Sequence, residues 1–334
     1  MELITGENDI GRRLDRILRK ALPDLSLPLI HRLFRKKKIL INGKPGKAKD
    51  RLDNAAVISI PFLNNESEKL RAKEIKYSSH IIDKQNIESL EICTIKYKNK
   101  ESLWQDSGFI AFNKPSGIAT HGPGSLEMLV QSFLKDKISP SLSFKPGPLH
   151  RLDKSTSGVI VFSANLKGAR FFSSLLHDLK VRKTYLAIVE GNIEKDEIWQ
   201  DDLIRDKKMK KTFVSKMETT PVGKIAITKI IPLAAKENYS LVKVEITTGR
   251  THQIRAQAAA HGYPLAGDVK YGGHKIINNN LPDTSLRKKP HKKEKSKFFL
   301  HAWKVDFLEY SIEAPIPDDF LSFLTKKFPK NFDF

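Results

Sequence analysis

Residues 149–161 read LHRLDKSTSGVIV and hold the strongest chemical signal in the chain. Arg151 and Asp153 flank one apolar residue, small polar residues follow, and Gly158 opens an apolar run. That order places an ionisable carboxylate at the mouth of a strand, with neighbours small enough for a planar ligand to approach. Taken alone, an Arg-x-Asp tripeptide is more often a capping aspartate with an exposed arginine beside it. Three other segments change the balance: FNKPSGIATH at 112–121, KTYLAIVEG at 183–191 and GRTHQIRAQAAAHGYPLAGDVKYG at 249–272.

The elements around these segments point to an α+β fold. FIAFNKPSG and SGVIVFSA read as strand segments, TYLAIVEG and SLVKVEITTG as longer strands, and 166–179 and 251–261 as helices. The strands lack regular crossover helices, so a mixed or antiparallel central sheet is expected over a doubly wound one. Residues 1–62 form a separate basic unit, with 14 Lys and Arg against 7 Asp and Glu. Leu14, Ile17, Leu18 and Leu22 predict a first helix that Pro23 ends. Ser26 caps a second helix, whose end carries Arg35, Lys36, Lys37 and Lys38. Strands at 39–41 and 55–60, with an Asn42-Gly43 turn, complete it. Residues 63–100 read as a polar linker with short strands whose pairing is open, and residues 101–334 as a larger domain with a basic insertion near 275–297.

Composition narrows the partner. In 334 residues, 59 Lys and Arg against 38 Asp and Glu leave a formal charge of +21, which favours a polyanion such as nucleic acid. With 40% hydrophobic and 29% charged residues the chain is globular, neither disordered nor membrane-embedded. Cys93 is the single cysteine, so no intrachain disulfide forms and a cytoplasmic location is expected. The first residues lack an apolar signal region, and no stretch reaches membrane-spanning length. Neither a P-loop nor a G-x-G-x-x-G fingerprint is present, so no nucleotide cofactor is expected. His150, His252, His261 and His301 lack metal-ligand spacing, so no metal is expected either. Gly122-Pro123-Gly124 reads equally as a phosphate cradle or as a plain turn. Arg205–Lys211 and Arg287–Lys297 are solvated charge runs first and backbone contacts second.

The four segments, in this order and spacing, resemble the RluA family of pseudouridine synthases, and FLHAWKVDF at 299–307 matches a fifth motif. The resemblance covers roughly residues 101–324. RRLDRIL and IHRLFRKKKILING in turn resemble the small RNA-binding domain of the S-four type. Together they place the chain nearest the family's RluC/RluD-like branch, and NKPSG followed by HG-x-G leans toward its C type. That branch implies isomerisation of uridine to pseudouridine in structured large-subunit (23S) ribosomal RNA, with no cofactor, by a monomer that binds no membrane. It implies Asp153 as the catalytic carboxylate, attacking C1′ or C6 or abstracting a ribose proton. Arg255, rather than Arg250, is implied as its guanidinium partner. Tyr185 is implied to stack on the target base and to take the C5 proton; the alternative is a core tyrosine on a strand. Arg151 is implied to fill the gap left by the flipped uridine, with Lys114, His252, Arg250 and Arg35–Lys38 as further RNA contacts. One departure stands out, because Gln257 occupies a place where the family usually has His, with His261 nearby. The rival functions are the same chemistry on transfer RNA, or a non-catalytic RNA-binding or ribosome-assembly factor.

Overall fold

The computed structural model describes residues 1–60, 90–215, 223–276, 297–328 and 332. Residues 1–60 close around their own core, in which Leu14, Ile17 and Leu18 of helix α1 (Leu14–Ala21) meet Ile30 and Phe34 of α2 (Leu27–Arg35) and Ile39, Ile58 and Ile60. The helical spacing of these residues puts one apolar stripe on each helix. Ser26 caps α2 by accepting the Leu29 N–H at 3.4 Å. A four-stranded antiparallel sheet backs the helices in the order β1 (Glu2–Ile4), β4 (Val57–Ser59), β2 (Leu40–Ile41), β3 (Lys44–Pro45). Asn42 and Gly43 both take positive φ, the conformation a two-residue hairpin turn requires.

The rest of the chain builds one larger sheet. Among the described residues its main path runs β11 (Lys211–Val214), β10 (Glu197–Asp206), β12 (Lys224–Lys236), β13 (Tyr239–Ile246), β9 (Val181–Glu190), β14 (Leu300–Phe307), β15 (Tyr310–Glu313), β5 (Ile95–Tyr97), β6 (Lys100–Ser102). Neighbours on this path pair antiparallel. β8 (Ser157–Ser163) joins β14 in parallel and carries β7 (Phe109–Lys114) antiparallel on its other side, so the sheet is mixed, as the sequence predicts. Gly158 makes the junction possible: its φ is +109°, and a Cβ there would run into the Ala302 carbonyl of β14.

Period-two alternation along β9 separates the two faces of the sheet. Tyr185, Ala187 and Val189 pack in the core that also holds Leu126, Val130 and Leu134 of α3 (Leu126–Leu134). Leu186 and Ile188 face Phe320 and Leu324 of α6 (Asp318–Lys327). Helix α4 (Leu166–His177) contributes Phe172 and Leu175 to a neighbouring cluster with Phe109 and Phe307. Helix α5 (Gln253–Ala260) lies on the Tyr185 face, where Ile254 and Ala258 are buried.

One sequence expectation changes. Residues 90–100 belong to the sheet and not to a linker: Cys93 and Ile95 are buried in a core cluster, and β5 pairs with β15 at the sheet edge. Short edge strands with exposed lysines on one side look polar in sequence, which left their pairing open. Residues 61–89 of the expected linker, and 277–296 of the expected basic insertion, lie outside the described residues. Among the described residues no helix is long and apolar enough to cross a membrane.

Candidate active site

Asp153 sits in the loop entering β8, and the 112–121 segment holds that loop in place. Thr120 Oγ1 donates to the Leu152 carbonyl at 3.0 Å and accepts the Leu152 N–H at 3.2 Å. Ser116 Oγ donates to the Ser155 carbonyl at 2.8 Å, and the Gly117 N–H to the Lys154 carbonyl at 2.8 Å. Lys114 completes the clamp: Nζ donates to the carbonyls of Pro115 at 2.9 Å, Ile118 at 2.9 Å and Lys154 at 3.2 Å. Lys114 is wholly buried, so its expected RNA contact is corrected to a loop-holding role. Three carbonyls match the three donors of an ammonium, and a buried donor set is tolerated only when so matched.

Arg255 of α5 reaches the same loop. Its Nη1 donates to Asp153 Oδ2 at 3.0 Å, while Nε and Nη2 donate to the two oxygens of Asp268 at 2.7 and 2.9 Å. The guanidinium lies between the rings of Tyr271 and Phe298, 4.8 and 4.5 Å from their centroids. Asp268 is fully buried, whereas the Asp153 side chain keeps 16% exposure, so only Asp153 can meet a ligand. Arg250 is exposed and directs Nε to the Ile225 carbonyl at 3.2 Å, which leaves Arg255 as the partner of Asp153.

His252 opens α5 at a φ of 54°, a left-handed conformation uncommon for a non-glycine residue. Tyr271 Oη accepts the Thr212 N–H at 2.8 Å and shares a hydrogen bond of 2.7 Å with His252 Nδ1. His252 Nε2 lies 3.7 Å from Asp153 Oδ1. Burial holds this imidazole neutral, with Arg255, Arg205 and Lys270 acting in the same sense and Asp153 opposing them.

Asp153, Tyr185, Arg255, Arg151, Arg250 and His252 all line one cavity of about 330 Å³. Tyr185 is also 94% buried within the core, so one residue both packs on its strand and lines the cavity. Burial, and then the Asp153 charge, push its hydroxyl well above the usual range for a phenol. Arg151 is exposed at the cavity wall. Arg35, Lys36 and Lys37 are exposed at the end of α2, and Lys38 is half-buried. Gln257, where the resemblance implies His, accepts from Thr228 Oγ1 at 2.6 Å and donates to Asp201 at 2.7 Å. His261 stacks on Trp199 and pairs with the same Asp201. The Gly122-Pro123-Gly124 stretch is a turn before α3, and the amides of Leu126 and Glu127 are already taken by the Ala119 and Thr120 carbonyls.

Sequence reasoning missed Asp268 and Tyr271 as site residues. Both stand in the quoted GDVKYG run, but their link to Arg255 depends on a turn that no periodicity announces. It also undervalued Arg205, whose Nη1 comes within 3.5 Å of His252 Nδ1.

The family model described as RNA pseudouridylate synthase fits residues 108–260. "Ribosomal large subunit pseudouridine synthase C" of Rickettsia bellii is 31% identical over 327 residues, covering 95% of this chain and 99% of its own. The chain belongs to the RNA pseudouridylate synthase family. A protein of the same description from Vibrio vulnificus is 26% identical, covering 93% of this chain and 89% of its own. The solved structure "Human RNA Pseudouridylate Synthase Domain Containing 4" aligns with a TM-score of 0.53 at 22% identity, over 66% of this chain and 90% of that one, which supports the pseudouridine synthase fold. The family match spans both Asp153 and Arg255.

Proposed function

We propose that the chain isomerises uridine to pseudouridine in large-subunit ribosomal RNA, with Asp153 as the catalytic carboxylate. One observation carries the assignment: Asp153 is the only carboxylate among the described residues lining the cavity, and Arg255 fixes one of its oxygens at 3.0 Å. The names of the Rickettsia bellii and Vibrio vulnificus relatives support the choice of RNA.

The reaction breaks the N1–C1′ bond, turns the base and joins C5 to C1′, with nothing consumed. A uridine stacked in folded RNA must first leave its stack, and in this reading Arg151, exposed at the cavity wall, fills the gap. Tyr185 stacks on the base in the cavity. Once C5 is bonded to C1′, the hydroxyl relays the C5 proton: its oxygen accepts that proton as its own is passed on, and the net transfer is from C5 to N1. Asp153 acts at C1′, at C6 or on a ribose proton. Residues 1–60 act as an S-four-type unit, and Arg35, Lys36, Lys37 and Lys38 grip phosphates without reading bases.

Pseudouridine mapping of total RNA from cells with and without the protein tests the proposal. Loss of discrete sites in large-subunit RNA, restored by wild type and not by Asp153→Asn, is the expected result. Loss confined to transfer RNA, or restoration by Asp153→Asn, overturns the substrate or the residue respectively.

A further inference from the structure

Lys183 precedes Tyr185 by two residues on β9, so both side chains leave the same face of the strand, roughly 6.6 Å apart along it. Both line the cavity. Lys183 is 94% buried, yet its Nζ makes one long hydrogen bond, 3.5 Å, to the Thr248 carbonyl. Among the described residues no carboxylate lies within ion-pair distance of it, and two of its three donors go unused. His150, another lining residue, repeats the pattern. Its Nε2 accepts the Val161 N–H at 3.0 Å, so the ring proton is on Nδ1, which has no protein acceptor. Burial, and then the Lys183 charge, hold this imidazole neutral, down to about 3. Buried donors without acceptors are costly, and a site that holds several of them is shaped for a ligand that brings acceptor oxygens.

The chemistry specifies such a ligand. When N1–C1′ breaks, its electron pair leaves with the base and spreads over N1, O2 and O4. Addition of Asp153 at C6 moves charge onto the C4 oxygen instead. All three roles open to Asp153 therefore load a uracil carbonyl with negative charge. We propose that Lys183, with the His150 Nδ1–H beside it, hydrogen-bonds a carbonyl oxygen of the target uracil and stabilises the charge that builds there. The assignment rests on the pseudouridine synthase function. With Tyr185 stacked on the face of the base, a group two residues along the same strand lies at the edge of the ring, where the carbonyls are. Lys183 keeps its proton throughout. C5 then bonds C1′ and gives its proton to Tyr185 Oη as the phenol passes its own proton on, and N1 takes up the proton so released. Burial brings the Lys183 ammonium down to about 8, which leaves it charged at neutral pH. A preformed donor aimed at developing charge in a water-poor cavity acts on the transition state more than on the bound substrate.

The test uses the full-length protein and an in vitro transcript of large-subunit ribosomal RNA carrying 5-tritiated uridine, with tritium release followed in single turnover at saturating enzyme. Lys183→Met is expected to slow release by ~10²–10³-fold, with RNA affinity within about twofold of wild type. Lys183→Arg should keep part of the rate. Lys183→Cys should be as slow as Lys183→Met and recover at least about tenfold after aminoethylation, which rebuilds the ammonium on nearly the same chain length. Cys93 is buried with its thiol pushed up to about 12, so the alkylation is selective. The Cys arm also covers a Met variant that fails to fold. A Met rate within threefold of wild type, a defect seen only in RNA affinity, or a Cys variant indifferent to aminoethylation overturns the proposal about Lys183 alone. No tritium release by wild type overturns the enzymatic function itself.

Discussion

Arg255 binds Asp268 through two hydrogen bonds, of 2.7 and 2.9 Å, and gives its remaining Nη1 donor to Asp153 at 3.0 Å. The two carboxylates have different places: Asp268 is sealed in the core and Asp153 opens on the cavity. Asp268 thus fixes the guanidinium plane, and the guanidinium fixes Asp153. A lysine cannot reproduce this fork.

Arg255→Lys is expected to lower single-turnover pseudouridine formation by about 10²-fold, the cost of displacing a reacting group by roughly an ångström. Arg255→Ala strands buried Asp268 and should lower unfolding free energy by about 3–5 kcal/mol in urea titrations. Asp268→Asn should slow the reaction without touching substrate. An Asp268→Asn enzyme at full rate would show that Arg255 is oriented by its two flanking rings alone.

Tyr185→Phe keeps the ring and removes the hydroxyl. It should bind RNA normally and stall after the N1–C1′ bond has broken, with product accumulating slowly or not at all. Tyr185→Leu should lose a further ~1–3 kcal/mol of stacking in RNA affinity. Unchanged product formation by the Phe variant would reduce Tyr185 to the packing role its burial already gives it.

His301 is fully buried, in contact with Ser157 Oγ at 2.9 Å through Nδ1, and burial drives it down to about 4. Its folded value lies below the unfolded one, so the unfolded chain binds more protons between about 6.5 and 4. Its contribution is therefore fully present above about 6.5 and is lost as pH falls through the folded value, roughly 3 kcal/mol in all. His301→Asn keeps a polar partner for Ser157 and should flatten the fall of the urea midpoint over that range. A variant with the same slope as wild type would assign the acid sensitivity to other groups.

Much of the site was legible because its motifs are contiguous. The HRLD, HQIR and KTY segments point to Asp153, Arg255 and Tyr185 through their ordered resemblance to one family's motifs, since residue type alone leaves an Arg-x-Asp tripeptide reading as a cap. Lys114 misled because a lysine next to Pro-Ser-Gly reads as solvent-facing; only the fold reveals three carbonyls converging on Nζ. Arg12 and Arg13, just before α1, are engaged within the fold. Arg12 donates to the Ser143 carbonyl at 3.0 Å and Arg13 pairs with Asp15 at 2.6 Å, so Arg16, Arg19 and Lys20 are the exposed cations on that helix. The 13-residue strand β12 and helix α6 were not anticipated, since half-exposed alternation in β12 and a short apolar stripe in α6 give weak periodicity.

The interface between residues 1–60 and the larger sheet unit was invisible in sequence, and it governs how the basic unit can meet RNA. Asp9 accepts hydrogen bonds from the N–H groups of Gly6, Leu142 and Ser143 at 2.9, 2.9 and 3.0 Å, and from the hydroxyls of Ser141 and Ser143. Asn8 Oδ1 accepts the Leu166 N–H at 2.7 Å beside it. Burial opposes the Asp9 charge, but these bonds, led by Ser143, hold its carboxyl below the usual range. The basic unit is thus tied to the larger unit through Asp9 and Asn8. Deleting residues 1–60 should flatten the plot of log affinity against log salt for large-subunit RNA by roughly 0.7–0.9 for each phosphate that is no longer gripped, several units in all. Asp9→Ala keeps every cation and releases the dock. It should therefore preserve most of that slope while weakening affinity by about tenfold, because the unit must now be ordered on binding. Tritium release from a short stem-loop at saturating enzyme should be unchanged in both, since neither change touches Asp153, Tyr185 or Arg255. An unaltered salt slope after the deletion would remove RNA binding from the roles of Arg35–Lys38. A slope that disappears in Asp9→Ala as fully as in the deletion would mean that the cations grip RNA only when docked.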